Sequence, residues 1–199
     1  MASILGLSAF SQGSAAQDKP QASSLNATAQ ASTLFQQLES PGSQDSAERM
    51  LLARGGSDRP VRKYLVKKLP AVITDGSGKN WRTWSSAVRL AGSLKIVEAA
   101  PALTKYVGID EVGDTSIGVF VHLADDPAGT ALVQIGDPAV PAIVTALKSA
   151  PPSQRFKLYL ALALIDSPRA KVAVANHLNR EDDPRCHGLL VRIMRYGPT

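Results

Sequence analysis

Apolar residues recur every three or four positions along most of this chain, the spacing of one face of an α-helix. Trp81, Trp84, Val88 and Ala91 fall at i, i+3, i+7 and i+10, and Val140, Ile143, Val144 and Leu147 form a similar stripe. Leu158, Leu160, Ala161, Leu162, Leu164 and Ile165 are apolar nearly all round, which predicts a helix held between neighbours. Between such segments lie short turns whose chemistry favours helix starts over strands. In Ile135-Gly136-Asp137-Pro138, glycine ends one helix, Asp137 is placed to cap the amides of the next, and Pro138 suits its first turn. Asp166-Ser167-Pro168 and Ser57-Asp58-Arg59-Pro60 repeat the cap-and-proline arrangement.

The pattern repeats. LLARGGSDRPVRKYLVKKL from Leu51, RLAGSLKIVEAAPALTKYV from Arg89, LVQIGDPAVPAIVTAL from Leu132 and LALIDSPRAKVAVANHL from Leu162 each read as helix end, tight turn, second helix. Pro60, Pro101 and Pro141 fall at corresponding places, and the matching place in the fourth window is near Lys171. The period is roughly 30–40 residues, the range of stacked helical repeats. A lone pair cannot bury its apolar face, so the pairs are expected to stack.

The stretch 131–148, ALVQIGDPAVPAIVTALK, closely resembles a HEAT repeat of the short kind found in phycobilisome lyases. Its apolar helix end, Gly-Asp-Pro turn and Val-Pro-Ala-Ile segment carry the likeness; the other windows match loosely. The resemblance implies an all-α, right-handed α-solenoid of four to five stacked antiparallel helix pairs over 33–199, the last incomplete at 183–196. The connector 108–123 interrupts the repeat, acidic at first and β-branched afterwards.

The N-terminal stretch departs from this pattern. Residues 1–16, MASILGLSAFSQGSAA, carry no charge, and Ser14-Ala15-Ala16 supplies small residues before Gln17. This resembles a secretory signal peptide without its basic n-region, cleaved after Ala16, and predicts a periplasmic or extracellular protein; the alternative is an ordinary flexible terminus on a cytoplasmic protein. Residues 17–32, QDKPQASSLNATAQAS, are polar and small and read as a flexible linker.

Composition narrows the function classes. With 44% hydrophobic residues the chain has enough apolar material for a core, and no run approaches the roughly 18 apolar residues of a membrane span. The net charge of +5 is unevenly spread: residues 54–105 carry +8, residues 108–147 carry −6 and residues 148–199 carry +5. Blocks of opposite sign can steer partners. One cysteine, Cys186, rules out an internal disulfide and any CxxC site, and it reads as a buried bystander beside Leu189, Leu190 and Ile193.

Motifs that carry chemistry are few. His122, His177 and His187 are scattered, and Cys186 and His187 would point about 100° apart on one helix, a poor chelate. Asp75-Gly76-Ser77-Gly78-Lys79-Asn80 lacks the first glycine and the hydroxyl of a phosphate loop, leaving Asn80 as a cap for the Trp81 helix. Asp110, Val112 and Asp114 break a calcium loop at its second ligand. Asp125-Asp126-Pro127 and Glu181-Asp182-Asp183-Pro184 read as helix starts. No catalytic residue, metal or cofactor is assigned.

The interaction candidate is the row Arg59, Lys63 and Lys67, at i, i+4 and i+8 on one helix face, flanked by Arg62 and Lys68. No acid lies between Arg59 and Ile73, and Pro70 is expected to kink or shorten the helix near its end. In HEAT-type stacks the second helix of each pair typically lines the concave surface. The resemblance therefore points to a non-catalytic scaffold that binds a macromolecule, a protein first, through this row. Nucleic-acid binding, as in HEAT-like alkylpurine DNA glycosylases, and a lyase-like, enzyme-associated role are the alternatives.

Overall fold

A computed structural model describes residues 19–76, 80–108 and 126–197, and the described residues form ten α-helices and two 3-10 turns. The helices are α1 (Lys19–Gln37), α2 (Gln44–Ser57), α3 (Arg59–Asp75), α4 (Trp81–Ser93), α5 (Ala100–Leu103), α6 (Pro127–Ile135), α7 (Val140–Leu147), α8 (Pro152–Ile165), α9 (Pro168–Leu178) and α10 (Pro184–Tyr196). The all-α expectation holds for these residues. The signal-like segment 1–16, His122 and nearly all of the 108–123 connector lie outside them.

Helix starts follow the sequence chemistry. Asp58 accepts from the Val61 amide, Asn80 from Thr83, Asp126 from Gly129, Ser167 from Ala170, and Asp183 from Arg185 and Cys186. Each side chain satisfies amides that the first helical turn leaves without an internal partner. Pro60, Pro101 and Pro141 are each the second residue of their helix, in α3, α5 and α7. That position has no intrahelical use for the missing amide. Gly136, with φ 81, ends α6 in a conformation that a side chain would strain.

Packing follows a regular rule. Each helix packs on the next but one, so α2, α4, α6, α8 and α10 form one run of neighbours and α1, α3, α5, α7 and α9 another. The apolar stripes meet between the two runs. Val61, Leu65, Leu69 and Ile73 of α3, Trp84 and Val88 of α4, Leu132 of α6, Ile143 of α7 and Leu158 and Leu162 of α8 belong to one continuous buried cluster. No single helix among the described residues is long and apolar enough to cross a membrane.

The structure departs from the sequence reading in four places. From Lys19 onward the expected linker is helix α1, whose Ala31 and Phe35 side chains are buried. Leu164 projects outward and is 48% exposed, and Leu160 is only partly buried, so α8 is not enclosed on all sides. Pro70 does not end α3, which continues to Asp75. Asp137 does not cap α7: a 3-10 turn, Asp137–Ala139, intervenes, and its carboxylate instead meets Ser167 and Arg169 of the following pair.

Candidate functional site

Helices α1 and α3 lie side by side, and their outer surfaces frame a groove of about 1150 Å³. Arg59, Lys63 and Lys67 line it together with Arg62 and Lys68. The row arises from helical geometry: Val61, Leu65, Leu69 and Ile73 turn α3 into the core, which leaves positions 59, 63 and 67 facing out. Asp58 fixes where this helix begins and hence the register of the row.

The five cations sort by what they touch. The Arg62 guanidinium donates to the Leu94 carbonyl at 3.0 Å and the Gly55 carbonyl at 3.5 Å, tying α3 to the ends of α4 and α2. Lys68 holds its ammonium 5.8 Å from the centre of the Phe35 ring, a contact that fastens α3 to α1. Arg59, Lys63 and Lys67 are exposed and make no ion pair or side-chain hydrogen bond with any described residue. The nearest acid in sequence, Asp58, is held by Arg54 at 3.2 Å. The α1 wall contributes the hydroxyl residues Ser24 and Thr28, and Val66 and Ala71 add apolar surface.

Other charged groups are engaged in holding helices together. Glu48 on α2 accepts from Arg89 at 2.6 and 2.8 Å and from Ser86 at 2.7 Å across the α2/α4 contact. Burial alone would raise its pKa, but the Arg89 and Ser86 hydrogen bonds and the Arg89 charge hold it below the ordinary carboxylate range. Between α9 and α10, Glu181 accepts from Tyr159 and Arg155, each at 2.7 Å, and from the Asp183 amide at 3.0 Å. Burial again opposes ionisation, and these bonds outweigh it, so the Glu181 pKa is lowered. Burial, then the hydrogen bond to Glu181, raises the Tyr159 phenol.

Asp126 is fully buried and binds the Gly108 amide at 2.6 Å, with the Lys157 ammonium at 3.8 Å. It therefore joins the two points between which residues 109–125 run. Asp110, Glu111, Asp114 and Asp125, most of the acidic block, lie outside the described residues. Cys186 is buried, its thiol pushed up to about 12 by burial and by the Glu181 and Asp183 carboxylates. A thiol so shifted stays protonated and unreactive at neutral pH. Among the described residues, no three His, Cys, Asp or Glu side chains are placed to hold a metal ion.

Sequence reasoning located the row on α3 but not the wall opposite it. Ser24 and Thr28 sit in the stretch read as a linker, so no groove could be foreseen there. Comparison with known proteins adds no family: no family model matches the chain, and neither does any curated protein or solved structure.

Proposed function

We propose that this chain is a non-catalytic scaffold, a right-handed α-solenoid of HEAT type, that docks a protein partner through the α1/α3 groove outside the cytoplasm. The observation that carries this reading is the row Arg59, Lys63 and Lys67, three exposed cations side by side in a groove, with no described carboxylate paired to them. Ordinary surface lysines on a helix are commonly interspersed with acids. Here the acids Glu48, Asp58, Asp126 and Glu181 are engaged in caps and interhelical ties. The next-but-one contacts between helices support the solenoid reading, since they are what stacked pairs produce. Export rests on the uncharged apolar segment and the Ser14-Ala15-Ala16 run.

Rigid complementarity would be the mechanism: the anchored cations Arg62 and Lys68 hold α3 in place, and the unpaired ones meet an acidic surface. Reversing Lys63→Glu and Lys67→Glu together tests it. An exposed, unpaired lysine contributes less than about 1 kcal/mol, so the variant should keep the wild-type thermal midpoint. Like-charge contact in an interface costs on the order of several kcal/mol, so proteins captured by the wild-type chain should be lost. Recovery of the same proteins by both chains at equal yield would contradict the reading.

A further inference from the structure

The groove is chemically two-sided, and this narrows what can occupy it. On α3, four residues correspond to a rise of about 6 Å, so Arg59, Lys63 and Lys67 leave the helix at about 6 Å intervals along about 12 Å. A ligand whose own negative groups repeat at the same pitch can meet all three. On the flank of the row nearer Tyr64, Pro60 and Ala71 add apolar surface, and the α1 wall offers the uncharged Ser24 and Thr28.

Single-stranded nucleic acid and an acidic peptide helix both present negative groups at this scale, and the surroundings separate them. Single-stranded nucleic acid gains much of its affinity by stacking bases on open aromatic faces. The one aromatic among the described residues that line the groove, Tyr64, is half-buried and meets Phe35 edge-on at 6.4 Å and 76°, so these residues offer no stacking platform. An amphipathic helix fits both halves: carboxylates at i, i+4 and i+8 share one face at about 6 Å spacing, and an adjacent apolar stripe can lie on Pro60 and Ala71.

We infer that the α1/α3 groove recognises an amphipathic helix of the partner protein, its carboxylates at i, i+4 and i+8 in register with Arg59, Lys63 and Lys67. This rests on the docking reading above and specifies the form the partner takes. The acidic stripe would pair with the α3 row, and the apolar stripe would cover Pro60 and Ala71. Helix-in-groove recognition gains its affinity from the apolar face and its register from the charges.

The test is fluorescence anisotropy on the full chain with synthetic, stapled helical peptides of about 16 residues. One peptide carries glutamates at i, i+4 and i+8 beside a leucine stripe. A second has the same composition with the glutamates moved off that face. Poly-glutamate and an oligo-thymidine strand complete the set. The in-register peptide should bind at least about tenfold more tightly than the other three, and lose at least about tenfold on Lys63→Glu/Lys67→Glu.

Lys63→Gln/Lys67→Gln, which removes charge without adding any, should give an intermediate loss and serves if the reversed variant does not fold. Equal binding of the off-register peptide, or tighter binding of poly-glutamate or oligo-thymidine, would overturn the helix inference. If partner capture still depends on Lys63 and Lys67 in that case, the docking reading survives alone. If capture is indifferent to both lysines, the docking reading falls with it.

Discussion

Gly92 lies where α4 crosses α6, and a Cβ placed on it would come within 2.8 Å of the Ala131 Cα and 2.3 Å of the Gln134 side-chain oxygen. Gln134 could swing away, but the Ala131 backbone cannot. Helix propensity alone would favour alanine over glycine by about 1 kcal/mol, while overpacking a close crossing costs about 1–3 kcal/mol. Gly92→Ala is therefore expected to lower the urea midpoint. Gly188 on α10 has open space around the same added atom, so propensity acts there unopposed. Gly188→Ala is expected to raise stability by about 0.5–1 kcal/mol, and urea unfolding of the two variants checks both signs. Nothing in the sequence distinguishes these glycines, because the difference is made by a helix packed from a distant part of the chain. Leu164 was misplaced for the same reason: an all-apolar stretch does not say which side lacks a neighbour.

At the scale of the element, the turns were legible and α1 was not. Asp58, Asn80, Asp126, Ser167 and Asp183 cap as their sequence positions suggest, because capping is a contact within four residues. Helix α1 did carry a stripe, Ala27, Ala31, Leu34 and Phe35, but its first half is written in alanine amid Ser, Thr and Gln. Asp137 eluded the capping rule because a 3-10 turn displaces the start of α7. The α9–α10 connection makes a sharper prediction. Glu181 has a lower pKa folded than free, so its contribution to stability is complete above about pH 4.5 and is lost as the pH falls below that value. Glu181→Gln should be less stable than wild type near neutral pH. Its urea midpoint should also fall less between about pH 6 and about pH 3. An unchanged pH dependence would mean that Glu181 is not held as its hydrogen bonds indicate.

For the molecule as a whole, packing and charge belong to separate parts of the same helix. Inward positions of α3 build the core and outward positions build the basic row, so the charge of the row can be altered without touching the core. The apolar period made the all-α fold legible, and the helical spacing made the row legible. The groove was hidden because its second wall comes from a segment whose composition argues for disorder. The central claim is that this groove is where the partner sits. It is tested most directly by a photoreactive amino acid placed at Ala71, an exposed position on the groove that spares every cation, and at Asn176, exposed on α9. With the partner bound, irradiation should join it to the chain from position 71 and not from position 176, and Lys63→Glu/Lys67→Glu should abolish the product. Crosslinking from position 176 with none from position 71 would contradict the account.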